Sequence, residues 1–176
     1  MKSESSKVES SRSKKFKDMT AKEYFEQLAT EHTLVKHSAA EPHFGCSLDD
    51  ASTLMARRLY YPAVFLAEGD MVVNGSAGNE LLNREYSLVF ATHVKDSGNE
   101  TEKASAFDLT ETLLRDFLGR MFRDRQKGVS PMVRFSPLGS SAYRVELSEA
   151  GLYGWILTFS LSSNLSKLNC NQNFES

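Results

Sequence analysis

The chain has 176 residues, 40% of them apolar and 25% charged, with a formal net charge of -2. That length suffices for one domain with a real core, and the near-balanced charge excludes a broadly basic nucleic-acid binder. No apolar run is long enough to cross a bilayer and no apolar signal core stands near the N-terminus, so the expected compartment is a cytoplasm, or a particle assembled there.

Residues 1–18 are rich in Ser, Lys and Glu. Lys2, Lys7, Arg12, Lys14, Lys15 and Lys17 outnumber Glu4, Glu9 and Asp18, so the segment is locally basic. It reads as a flexible basic arm over 1–19, a solvated tail before one held by a neighbouring subunit. Thr20-Ala-Lys-Glu23 is a capping box, and Tyr24, Phe25, Leu28 and Val35 give the helix it opens an apolar stripe ending near His37. His43 to Leu48 reads as a short strand. Ser47 or Asp49 then caps a second, short helix carrying Leu54, Met55 and Leu59.

Pro62 opens a strand, Ala63 to Ala67, bounded by Glu68-Gly69-Asp70. Asn74-Gly75 is a tight-turn signal that Ala77-Gly78-Asn79 lengthens into a loop from Asn74 to Leu82. Arg84 to Val94 alternates as a strand does, with Tyr86, Leu88, Phe90 and Val94 on one side and Glu85, Ser87, Ala91 and His93 opposite. Polar residues 96–103 end it. Ala104 to Arg125 is the clearest helix, with Phe107, Leu114, Phe117, Leu118 and Met121 on one face. Glu111 with Arg115 and Asp116 with Arg120 are i,i+4 pairs on its outer side. Gly128 and Pro131 stop the helix. Met132 to Phe135 and Tyr143 to Ser148 read as strands separated by Pro137-Leu138-Gly139. Gly151 then turns the chain into a last strand, where Tyr153, Trp155, Leu157, Phe159 and Leu161 occupy every second position.

These elements predict an α+β fold: an antiparallel or mixed β-sheet with one long helix packed on a face, N-terminal helices, and flexible arms at both ends. A single domain spans 20–163, and 164–176 is a polar extension. The expected core is Phe65, Leu88, Phe90, Phe107, Leu114, Phe117, Met121, Trp155, Leu157 and Phe159.

Little catalytic chemistry is on offer. There is no G-x-S-x-G, phosphate loop, H-E-x-x-H or C-x-x-C. His37, His43 and Cys46 are near one another, but a trio without a fourth ligand reads as ordinary surface and core residues before it reads as a metal site. Asp49-Asp50 beside it suits a helix start. His93 reads as a solvated residue before a general base. Arg120, Arg123, Arg125 and Lys127 are interrupted by Asp124, which favours a salt-bridged helix end over a nucleic-acid patch. The Trp155 strand reads as core before a ligand pocket. Cys46 and Cys170 read as unpaired thiols, and the three N-x-S/T triplets carry no weight without secretion. No cofactor or metal is expected.

The run Tyr61-Pro62-Ala63-Val64-Phe65-Leu66-Ala67-Glu68 resembles the strand after the first helical region in tail-terminator-like and neck ring proteins of tailed bacteriophages. The loop from Asn74 to Leu82, the Arg84 to Val94 strand, the Ala104 to Arg125 helix and the pair from Tyr143 to Leu161 follow in that family's order. Gly154-Trp155-Ile156-Leu157-Thr158-Phe159, followed by Ser163-Asn164-Leu165, is similar to its closing strand. The resemblance covers roughly residues 43–170, and the basic arm and polar extension depart from the simplest members. It implies a non-enzymatic virion protein: a six- or twelve-fold homo-oligomeric ring in the neck or tail, joining the head portal to the tail and framing the DNA channel. Its partners would be itself and adjacent portal, neck or tail proteins, with DNA only passing through and no membrane. The implied assembly-interface residues are Lys14, Lys15, Lys17, Asn74, Gly75, Asn79, Leu82, Asn164, Leu165 and Phe174. A cytoplasmic protein-binding module is the alternative, and behind it a small hydrolase using His37, His43 or His93.

Overall fold

The computed structural model describes residues 19–46, 60–76, 79–147 and 150–164. The protein is α+β, a mixed five-stranded sheet with a long helix across one face. In chain order the elements are α1 (Ala21–Glu31), β1 (Phe44–Cys46), β2 (Ala63–Ser76), β3 (Asn79–His93), α2 (Glu100–Gln126), a 3-10 turn (Met132–Arg134), β4 (Phe135–Leu147) and β5 (Leu152–Asn164). The expected arms, the second short helix and Cys170 lie outside the described residues.

The sheet order is β1-β2-β3-β5-β4. Only β1 and β2 run parallel, and their pairing covers just Val64–Leu66 of β2. The other neighbours are antiparallel.

Helix α1 begins where its residues dictate. The Thr20 hydroxyl accepts from the Glu23 amide while the Glu23 carboxylate accepts from the Thr20 amide, so two donors at the helix start are satisfied at once. The helix is shorter than its apolar stripe suggests: Val35 is buried but lies in the turn beyond Glu31. Helix α2 starts at Glu100, a turn earlier than expected. The Asn99 side chain accepts from the Thr101 and Glu102 amides, so polar residues read as a connection are a capped first turn.

The largest corrections concern the strands. The strand expected to stop at Ala67 runs on through Glu68-Gly69-Asp70 to Ser76, with a register shift between Glu68 and Met71. A bulge absorbs the residues that looked like a terminator. The expected loop from Asn74 to Leu82 is mostly ladder: Asn74 pairs with Leu81, Gly75 with Glu80 and Ser76 with Asn79. Met132–Arg134 is a 3-10 turn, and the Pro137-Leu138-Gly139 break is an irregularity inside one continuous β4, between Ser136 and Ser141. Gly139 supplies the left-handed φ of 86° that this excursion needs.

The main core lies between the sheet and both helices. Leu88, Phe90, Leu157 and Phe159 meet Leu114, Phe117 and Met121 of α2 and Tyr24 and Phe25 of α1. Phe90 stands edge-on to Phe117 at 5.2 Å, and Phe159 stacks on Tyr86 at 5.7 Å. Phe107 is buried with Tyr153 and Val94 near the start of α2. Two expected core residues sit differently. Phe65 is buried on the opposite sheet face with Ala63, Val89 and Ala91. Trp155 is half-buried and packs against the core from its rim. The alternation of β3 therefore hides a second buried face, because Val89 and Ala91 sit among polar neighbours.

Candidate functional site

The histidines are used by the backbone. His37 Nδ1 accepts from the amides of His43 and Phe44, at 3.0 and 3.2 Å. The buried His43 ring donates from Nδ1 to the Pro62 carbonyl at 2.9 Å. Both imidazoles thus fasten the entry of β1 against β2. Cys46 lies at the end of β1, and desolvation raises its thiol above the ordinary value, away from the reactive thiolate. Among the described residues, no group of three or more His, Cys, Asp or Glu is placed to hold a metal ion. His93 is exposed, with its ring 6.0 Å from Tyr61.

The arginine cluster divides. Arg123, Arg125 and Lys127 are exposed at the C-terminal end of α2, where cations favour the helix dipole. Arg120 does not pair with Asp116 as expected. Its Nε donates to Asp124 Oδ2 at 2.8 Å, a guanidinium nitrogen lies 3.4 Å from Glu31, and Asp116 instead meets His32 at 3.2 Å. The Tyr24 hydroxyl donates to the same Asp124 oxygen at 2.9 Å. Burial first, and the Asp124 charge second, push the Tyr24 phenol far up. Burial, the largest single effect, pulls Arg120 down, but its bond to Asp124 and the charges of Asp124 and Glu31 together leave it raised. Sequence spacing showed Arg120 and Asp124 four apart; nothing in it revealed a tyrosine a hundred residues away. The network joins α1 to α2 and is structural.

Of the expected interface residues, Lys14, Lys15, Lys17, Leu165 and Phe174 lie outside the described residues. Asn74, Gly75, Asn79, Leu82 and Asn164 come together at one end of the sheet, where Leu81 pairs with Asn164 and Leu82 with Ser163. They are ladder positions rather than a loop. This end of the hairpin carries Met71, Val72 and Val73, exposed by 54%, 51% and 58%. Neighbouring positions in the register share a face, so Met71, Arg84 and Leu161 line up on the helix side, as do Val73, Leu82 and Ser163.

Two strand edges are open. Among the described residues β2 has no strand partner on its outer side beyond Leu66, and β4 has none outside β5. The regular part of β4, Ser141–Leu147, presents Tyr143 and Leu147 to solvent. An edge of unpaired amides and carbonyls beside exposed apolar side chains is a template for another chain. This surface, not a pocket with converging catalytic groups, is the main candidate site, and only its Asn-Gly signal was visible in the sequence.

No protein-family model matches this chain, and no curated protein matches it either.

Proposed function

We propose that this chain is a structural subunit that closes into a homo-oligomeric ring, as in the neck or tail of a tailed phage. The observation that carries the ring is the pair of edges, on opposite sides of one sheet, that have no strand partner among the described residues. Met71–Ser76 of β2 and Ser141–Leu147 of β4 are regular segments of similar length, each roughly 20 Å at about 3.3 Å per residue. Val72 and Tyr143 lie on the sheet face away from α2, level with Asn83 and Val89 of β3, so joining the two edges with a stagger of that length between copies brings the two side chains together. A contact between two different edges is heterologous, and repetition either closes a ring or grows a filament. The phage neck is favoured by the order of a helical start, a strand, an alternating strand, a long helix and a closing strand pair, which resembles that of the tail-terminator-like and neck proteins, although a hairpin stands where that order has a variable loop.

Light scattering and electron microscopy of the purified full chain test this. The expected result is a closed ring with an open centre. Val72→Lys and Tyr143→Glu should each abolish it, yet the two variants mixed should form one-to-one dimers, because each retains one intact edge. A strict monomer, or a two-fold dimer that both variants preserve, overturns the ring. Immunogold labelling of particles released from cells carrying the gene should mark the head–tail junction. Particles without label overturn the neck assignment alone.

A further inference from the structure

A groove of about 440 Å³ opens on the helix side of the distal sheet, walled by Met71, Leu82, Tyr86 and Leu161 and closed by Met19 and Pro131. Its floor is set by register, because Met71, Arg84 and Leu161 stand side by side across three strands. Glu68 is tied to Arg84 at 2.7 Å, so that pair is largely neutralised, and Thr20, Ser130 and Ser163 leave the lining a mixture of uncharged polar and apolar groups. Arg134 stands exposed at the rim.

The chain leaves the described structure beside this groove. β5 runs antiparallel to β3 and ends at Asn164, paired with Leu81 near the β2–β3 hairpin tip. Residues 165–176 contain Leu165, Leu168 and Phe174, with Lys167 and Glu175 the only charged side chains. Fully extended they reach roughly 40 Å, enough to cross to an adjacent molecule. Residues 1–18, which precede Met19, carry six basic groups against three acids, a poorer match to a groove whose rim already holds Arg134.

We infer that the groove receives residues 165–176 of a neighbouring copy, with Leu168 and Phe174 as anchors. This rests on the ring reading and deepens it: the edges set the repeat, and the extension latches one copy to the next.

Native Cys170 lies between the two anchors and makes the test direct. In a Cys46→Ser background, Met71→Cys places a thiol in the groove, and mild oxidation of the full chain should give disulfide-linked dimers and longer ladders. Their yield should exceed at least tenfold that of a control with Asp108→Cys, exposed on α2 away from the groove and both edges, in place of Met71→Cys, and Cys170→Ser should abolish them. Phe174→Ser should reduce cross-linking several-fold without changing the fold seen by circular dichroism. A cross-link confined within one chain, or a yield equal to the control, overturns the inference even if scattering still finds a ring. A monomer at every concentration overturns both readings.

Discussion

Asp124 is the residue whose replacement most directly tests the account of how the two helices are held. It is 4% exposed, and one carboxylate oxygen accepts from both the Tyr24 hydroxyl and Arg120 Nε, at 2.9 and 2.8 Å. Asp124→Ala leaves the buried Tyr24 hydroxyl without its acceptor, which costs about 2 kcal/mol. Arg120 is partly exposed and keeps Glu31 and water, so its loss is discounted to about 1 kcal/mol. The expected total is about 3 kcal/mol, against a whole-domain stability of roughly 5 to 15 kcal/mol. Tyr24→Phe should cost only about 1 kcal/mol, because Asp124 keeps Arg120. In the double variant the orphaned hydroxyl is gone, so the combined cost should fall short of the sum by about 1–2 kcal/mol.

Urea unfolding followed by circular dichroism measures all three. With a slope of roughly 2 kcal/mol per molar, Asp124→Ala should lower the midpoint by about 1.5 M at unchanged slope. Additive costs, or a cost for Tyr24→Phe larger than for Asp124→Ala, would show that the shared oxygen is not what couples α1 to α2.

The Tyr24 phenol is raised in the folded protein, so above its unfolded value near 10 the unfolded state loses that proton first. Stability should therefore fall as pH rises past about 10, more steeply than in Tyr24→Phe; equal slopes in pH-dependent urea titrations would refute this. Gly154→Ala should prevent folding, because a Cβ there would sit 1.8 Å from the Phe90 carbonyl oxygen; a variant with a normal melting transition would be inconsistent with the β3–β5 register. Thr20→Ala should cost about 1 kcal/mol by removing the capping box, read as a lowered melting temperature. Val72→Lys and Tyr143→Glu sit on half-exposed edges and should each change urea stability by no more than about 0.5 kcal/mol; a larger loss would place them in the fold rather than at an interface.

What the sequence reveals follows from how local each signal is. Thr20 with Glu23, the alternation from Tyr86 to Phe90 and the stripe from Phe107 to Met121 are all decided by residues within a few positions, and those elements form with shifted ends. Glu68-Gly69-Asp70 and Pro137-Leu138-Gly139 misled for one reason: breakers end an isolated strand, but inside a ladder a bulge accommodates them while the neighbours hold the register. Asp124 and Tyr24 are separated by a hundred residues and meet only through tertiary packing. The run Met71-Val72-Val73 gives no signal in the sequence, and its exposure among the described residues is what makes it candidate surface.

The placement of the polar chemistry separates folding from assembly. His37, His43, Tyr24 and Asp124 spend their hydrogen-bonding groups on backbone or on each other, inside or beside the helix-covered core. Of the exposed large apolar groups among the described residues, Met71, Val72 and Val73 lie on the hairpin end and Leu138, Tyr143 and Leu147 on β4, while Leu34, Tyr60 and Val133 lie elsewhere. Burying one such side chain in an interface gains about 1.5–3 kcal/mol. Two strand edges carrying several of them have enough to offset the entropy of association. Changes in the core should therefore shift unfolding without regard to concentration. Changes at the edges should shift association and leave unfolding of the isolated subunit nearly untouched, a division expected of a subunit built to be joined at both sides.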